Sequence, residues 1–294
     1  MLIKVVLGLL LLLTVYFAVV FFTDYAKASK EGNIEKSSFG ALGAVGFLTN
    51  FLDTLGIGSF ATTTALFKFF KLTKDRTIPG TLNVACTIPV VLEALIFITV
   101  IKVDSVTLFA LLAAATLGAF IGAGVVSKLD EKKVQIAMGI ALLVVAIIML
   151  AGQLQLMPVG GEAIGLTGGK LVFAVIANFI LGALMTLGIG LYAPCMALIF
   201  ALGMSPKVAF PIMMGSCAFL MPVASAKFVK EDAYDRKASM AITIFGSIGV
   251  LIAAYIVKEL PLNILKWVVI VVIVYTSAMM FKSARKRKSP EVKM

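Results

Sequence analysis

Histidine is absent from the 294 residues, which removes the commonest general base and the commonest metal ligand together. Tryptophan occurs once and cysteine three times. Cys86, Cys195 and Cys217 all lie in apolar segments, so no disulfide framework is indicated. Each reads as a small buried hydrophobe rather than as a thiol for substrate chemistry. Charge is scarce too, at 14% of the chain, with 15 acidic residues against 26 basic ones. His-Glu-x-x-His, Gly-x-Ser-x-Gly and Gly-x-x-x-x-Gly-Lys-[Ser/Thr] are all missing. The parts of an intramembrane hydrolase and of an ATP-driven pump are therefore not present, and no cofactor is indicated.

What the chain has in quantity is hydrocarbon. It is 61% hydrophobic, with a mean hydropathy of +1.08. Many apolar runs reach about 20 residues, the length that crosses a bilayer. The composition predicts an all-α polytopic membrane protein, one compact bundle made from two homologous halves. The net charge of +11 sits between apolar segments and in the tail from Lys282 to Lys293. The positive-inside rule explains that placement without a nucleic-acid partner, and the tail could also touch anionic lipid.

One stretch is written twice. Thr54-Leu55-Gly56-Ile57-Gly58 returns 132 positions later as Thr186-Leu187-Gly188-Ile189-Gly190. At the same offset Ala61 answers Ala193, Ala65-Leu66 answers Ala197-Leu198, and Pro79 answers Pro211. Glycine costs about 1 kcal/mol against alanine in a helix interior, so two glycines in an apolar run mark a break. Interrupted segments at matching places in two halves point to a mid-membrane binding site.

Around these breaks the chain divides into residues 1–38 (a helix over 2–22 and a polar linker), 39–152, a turn-rich connection 153–169, 170–282, and a basic tail 283–294. The first helix is read as retained; a signal peptide cleaved after Ala26-Lys27-Ala28 is the alternative. Each half is a broken re-entrant helix pair followed by three transmembrane helices. Residues 39–71 form the first broken segment, with arms 39–53 and 61–71 too short to span, and 170–203 form the second. The continuous helices are expected over 79–101, 105–127, 133–152, 208–228, 237–257 and 262–282.

Lysine and arginine crowd the loops with Lys68, Lys71, Lys74 and Arg76, with Lys128, Lys132 and Lys133, with Lys227, Lys230, Arg236 and Lys237, and the tail. The intervening connections hold only Lys102, Lys170, Lys207, Lys258 and Lys266. Crowded loops in the cytoplasm give strict alternation and a cytoplasmic C-terminus in the plasma membrane. The broken segments then dip in from opposite faces, which is an inverted repeat whose tips meet near the midplane.

A backbone that leaves helical geometry in lipid needs its polar groups satisfied, so the tips line a cavity or face each other. Half-helices starting near Ala61 and Ala193, with Pro194 in the first turn, would aim free N–H groups at the tip and favour an anion. The candidate substrate-binding residues are Gly56, Gly58, Ser59, Thr62, Thr63, Gly188, Gly190, Tyr192 and Cys195. Asn83 and Ser216 join them from the helices beginning at Pro79 and Pro211. Close helix packing through the glycines is the other reading of the motif, and back-bonding to the helix is the other reading of the hydroxyls.

Two acids lie inside apolar segments, where burial costs at least ~2.5 kcal/mol. Asp53, whose second-half equivalent is Met185, either takes a coupling proton or sodium ion or accepts hydrogen bonds from the broken backbone. Glu93 lies beyond the midplane toward the outside, as a proton relay or a structural pair with a neighbouring helix. Neither has an acidic equivalent in the second half.

The repeated Gly-Ile-Gly tip, the alanine- and leucine-rich half-helix, the basic or polar turn and the proline-started helix resemble the TauE/SafE sulfite exporter family (TSUP). The resemblance covers about residues 39 to 282 and leaves the first helix as an addition. Family members show Gly-x-Gly-Gly-Gly, an apolar pair and proline. Here Gly56-Ile57-Gly58-Ser59-Phe60 keeps the first and third positions, and Thr62 or Pro194 stands near the proline. The resemblance implies plasma-membrane transport of a sulfur oxyanion or organosulfonate, such as sulfite or sulfoacetate. The residues alone reach only an anion at the midplane. They imply a secondary transporter using alternating access, with a small anionic substrate, the lipid bilayer and a coupling proton or sodium ion as partners. An anion channel and a membrane subunit of a larger complex are the alternatives.

Overall fold

The computed structural model describes residues 2–98, 101–158, 160–256 and 262–285. Eleven α-helices occupy them: α1 Leu2–Lys30, α2 Phe39–Thr54, α3 Ser59–Phe70, α4 Ile78–Ile98, α5 Ser105–Val126, α6 Glu131–Gln153, α7 Gly168–Met185, α8 Tyr192–Ala201, α9 Pro206–Lys230, α10 Arg236–Ile256 and α11 Leu262–Arg285. Eight of them are long and apolar enough to cross a membrane, α4 counted with the preceding 3₁₀ turn Asp75–Thr77. Lys258 and the tail from Lys286 to Lys293 lie outside the described residues.

Helix starts follow from local chemistry. Ser38, Asp104, Asp130 and Asp235 each accept a hydrogen bond from the backbone N–H three residues on, supplying one of the donors a helix N-terminus leaves unpaired. Three features of the helices differ from the expectation here. The first helix runs on to Lys30, because Ala26, Ala28 and the flanking lysines continue a helix as well as an apolar run does. The helix expected to begin at Pro211 starts at Pro206, with Pro211 and Pro222 inside it. Proline is welcome in a first turn, and Pro206 takes that place. The arm α7 has 18 residues and passes as a span by length and composition, so only α2, α3 and α8 fall short.

The bundle is centred on α4 and α9, which pack on each other and are the most buried of the spans. Around them the pairings repeat with the halves exchanged. The arm α2 lies along α10 and the arm α7 along α5; α5 packs on α9 as α10 does on α4; α3 meets α11 as α8 meets α6. The arm pairings run through small residues. A Cβ at Gly46 would lie 2.6 Å from Ile242 Cα, and one at Gly249 2.5 Å from the Phe47 carbonyl oxygen. On the other seam a Cβ at Gly118 would fall 1.9 Å from the Phe179 oxygen, and one at Gly182 2.1 Å from the Ala115 oxygen. Backbone approach of this kind is how helices associate where lipid offers no hydrophobic drive.

The lysine-rich loops gather at one end. Thr73 Oγ1 donates to Asp235 Oδ2 (2.9 Å), Gln135 Nε2 to Asp75 Oδ2 (2.7 Å) and Lys68 Nζ to Ser283 Oγ (2.9 Å). Arg236 Nε pairs with Asp24 at 2.8 Å, while Glu35 accepts from the Arg236 and Lys237 N–H groups. The start of α2 and the end of α3 therefore both lie at this end. At the opposite end Asp104 N–H donates to the Ile164 carbonyl, Ser205 N–H to Ala163, and Lys170 Nζ to Leu202, so the start of α7 and the end of α8 lie there. The first helix joins the bundle through the buried Leu10, Phe17 and Phe21, against α9 and α4.

Candidate functional site

Both breaks adopt the same unusual backbone. Gly56 and Gly58 have φ of 86° and 90°, and Gly188 and Gly190 have 92° and 74°, values that cost an L-residue roughly 1–2 kcal/mol. Two left-handed glycines turn the chain out of one helix and into the next without a side-chain clash. The half-helices begin at Ser59 and Tyr192, two residues and one residue before the expected starts.

The two helix N-termini are not alike. Asp53 Oδ1 accepts the Ser59 N–H and Asp53 Oδ2 accepts the Ser59 hydroxyl, each at 2.8 Å. A buried carboxylate thus occupies the N-terminus of α3, where the peptide dipoles favour negative charge. The N-terminus expected to face a substrate anion in the first half is filled by the chain's own acid. In the second half Met185 stands in that place, its sulfur 3.5 Å from Cys217 Sγ. The N-cap Leu191 offers no side-chain hydrogen bond to α8, and Pro194 has no N–H to present. The donors there are the N–H groups of Tyr192 and Ala193, and both residues line the cavity.

Glu93 joins the tips. It is fully buried, and its Oε2 accepts from the Tyr192 hydroxyl at 2.6 Å while Oε1 lies 2.8 Å from Thr54 Oγ1. One carboxyl therefore touches both broken segments. Thr54 and Glu93 are each about fifteen residues from the first residue of helices that start at the same end, so they sit level, about 22 Å along from that end. Thr54 Oγ1 is also 3.0 Å from the Asn50 carbonyl, and a hydroxyl has one proton. With Glu93 ionised, Thr54 and Tyr192 both donate to it. When Glu93 carries a proton, it donates to Thr54, which donates to Asn50. The network closes either way.

Between the tips is a cavity of about 30 Å³, room for about two water molecules. Of the residues singled out in the sequence, Gly58, Ser59, Gly190, Tyr192 and Asp53 line it. Val90, Val145 and Cys217 also line it, with Met185 and apolar residues of both tips; nothing in the pattern marks two valines on separate helices as neighbours. Gly56 faces a larger cavity of about 570 Å³, between α6, α8 and the start of α11, which also holds Lys266. Ile57 and Ala193 belong to both walls and separate them.

The other candidates lie outside the small cavity. Thr62 Oγ1 donates back to the Ser59 and Gly58 carbonyls (2.9 and 3.1 Å), and Thr63 to Thr49 Oγ1 at 2.9 Å. Asn83 Nδ2 donates to the Pro79 carbonyl, and Ser216 Oγ accepts from Asn178 Nδ2 at 3.0 Å. Gly188 is packed by Met138 and Leu82, and Cys195 is buried in the apolar core.

Eight helices long and apolar enough to cross a membrane, two interrupted segments and polar tips that meet within the bundle describe a multi-pass membrane protein. The chain belongs to the sulfite exporter TauE/SafE family, whose model matches residues 1–149 and 171–294. The match takes in residues 1–38, so the first helix is part of the family's region rather than an addition to it. No curated protein and no solved structure matches the chain.

Proposed function

We propose that the protein is a secondary transporter that carries a small anion, a sulfur oxyanion or organosulfonate of the sulfite type, by alternating access around the paired tips. The observation that carries this reading is the small cavity between the two tips, with one helix N-terminus capped by Asp53 and the other without a side-chain cap. The N–H groups at the start of α8 are the anion's donors; the Tyr192 and Ser59 hydroxyls line the cavity with their protons already given to Glu93 and Asp53. The exchanged pairing of the halves supports an inverted repeat, and the gathered lysines support a cytoplasmic C-terminus in the plasma membrane. The larger cavity then opens outward, where Lys266 draws anions in.

Glu93 is the coupling residue of this proposal. A group that keeps its hydrogen bonds in both protonation states can take up and release a proton without leaving a buried polar atom unpaired. It touches both segments, so its protonation reports on and biases their separation. Asp53, committed to the α3 N-terminus, holds the first tip in shape. A carrier is favoured over an open channel because the space between the tips is only about 30 Å³.

The test is sulfite flux into proteoliposomes, with sulfate, thiosulfate, taurine, sulfoacetate, chloride and acetate as competitors. Saturable uptake with counterflow, accelerated by a proton gradient and competed by sulfur oxyanions or sulfonates, is the expected result. Linear flux without counterflow, or chloride competing as well as sulfite, overturns it.

A further inference from the structure

At the lysine-rich end, between the C-terminal turns of α3 and α11, lies a second cavity of about 300 Å³ that the transport reading does not use. Lys68, Lys71 and Lys282 line it, with Asp75 as the acid among its lining residues. Asp75 is already engaged: its carboxylate pairs with Lys68 and accepts from Gln135 Nε2 at 2.7 Å. Lys71 and Lys282 are exposed and make no ion pair among the described residues. Three cations against one anion leave the cavity positive, even with the partial negative ends of two helices beside it. Ser283 Oγ accepts from Lys68, which leaves its own proton to donate.

The cavity's other wall is apolar. Met279 and Tyr275 line it from α11, and Tyr275 is 56% exposed. Phe69 and Phe70, in the same turn of α3 as Lys68 and Lys71, are also exposed, at 65% and 58%. A soluble anion needs only the lysines. A ligand that also covers this aromatic rim has a charged head and hydrocarbon chains.

We propose that this cavity binds the phosphate of an anionic phospholipid, with Lys71, Lys282 and the Ser283 hydroxyl on the phosphate oxygens and the acyl chains along Tyr275 and Met279. Basic pockets between membrane helices recognise lipid headgroups in this way. Lys68 and Asp75 fix the pocket floor. The bound lipid would bridge α3, the second arm of the first broken segment, to α11 of the other half.

The experiment uses the full chain in nanodiscs of phosphatidylcholine alone or with phosphatidylglycerol, reading lipid retained on the protein by native mass spectrometry. A parallel arm adds inorganic phosphate to the phosphatidylcholine sample and follows the thermal melt. Phosphatidylglycerol is expected to be retained, and Lys71→Ala with Lys282→Ala to weaken retention about 30-fold, the worth of two lysines beside an anionic headgroup. The Arg pair at the same positions should restore it, and Lys128→Ala with Lys132→Ala, at the same end of the bundle, should leave it unchanged. Equal loss in the Lys128/Lys132 pair would reduce the effect to general surface charge and overturn the site. A melt raised as much by inorganic phosphate as by phosphatidylglycerol overturns the lipid as its source. These outcomes do not depend on sulfite flux, so failure here leaves the transport reading standing.

Discussion

Replacing Glu93 by glutamine is the sharpest perturbation available, because hydrogen-bond counting separates its outcome from that of alanine. Removing a buried carboxyl ordinarily destabilises. Here glutamine keeps the three bonds of the protonated network, since its oxygen accepts from Tyr192, its amide donates to Thr54, and Thr54 donates to Asn50, but its second amide N–H is left over. The expected cost is that of one stranded donor, about 1–2 kcal/mol, below that of Glu93→Ala. Tyr192→Phe deletes the 2.6 Å bond and strands one oxygen of a fully buried carboxyl, a cost of about 1–3 kcal/mol. Thr54→Val should cost a similar amount, and Glu93→Ala about 2–5 kcal/mol, since it opens a cavity and orphans the Tyr192 hydroxyl while Thr54 still donates to Asn50. The assay is equilibrium unfolding in mixed SDS micelles, with the single tryptophan, Trp267, as the fluorescent reporter. Flux on the same variants separates folding from coupling: Glu93→Gln should keep exchange of anion for anion and lose acceleration by a proton gradient. If Glu93→Gln unfolds as readily as Glu93→Ala, the carboxyl acts through its charge alone and the proton-exchange argument is wrong. A Tyr192→Phe cost near zero would refute the bridge itself.

Gly188→Ala should destabilise more than Gly58→Ala: both positions have positive φ, but a Cβ at 188 also meets Met138 and Leu82 at 3.1 and 3.2 Å while one at 58 meets nothing within 4 Å. Backbone strain alone sets the Gly58 cost at roughly 1–2 kcal/mol, and parallel melts would show the ordering. Asp53→Ala should lower stability by about 0.5–2 kcal/mol through loss of the α3 cap, with Asp53→Asn recovering part of it; equal losses would mean the cap geometry is not what matters. Hydrogen bonds from Thr107 N–H and hydroxyl hold Asp104 below its usual carboxylate range. Its stabilising contribution is complete above pH 3.8 and is lost as pH falls below that value, so Asp104→Asn should flatten the melting temperature in that window. Lys266→Ala should raise KM for anion entering from its side by about 3- to 10-fold with little change in kcat, through weaker electrostatic attraction.

The tips were legible because the chain repeats them, and a glycine pair in an apolar run has few other uses. The helix content and the two-ended distribution of lysine follow from composition, since a bilayer leaves few alternatives. What escaped was any contact that depends on depth. Thr54, Glu93 and Tyr192 are distant in sequence, and only equal distances from a shared end bring the first two level. The fate of Asp53 was open for a different reason: an acid one residue before a break can face a ligand or fold back onto the next helix, and that depends on the conformation of the five residues between Asp53 and Ser59. Val90 and Val145 carry no signal at all, because valine in an apolar helix looks alike on every face.

The glycine seams between α2 and α10 and between α5 and α7 impose an order in time. A ribosome that has finished α2 must add the chain up to Arg236 before α10 appears, which takes roughly 10–40 s at ordinary elongation speeds. Throughout that interval the first broken segment sits in or beside the membrane with its glycine face uncovered. The arm α7 has no such wait, since α5 is already made when α7 emerges. Of two segments with the same tip geometry, the first is the one a cell must shelter during biogenesis, and it is there that slowed synthesis would do most harm.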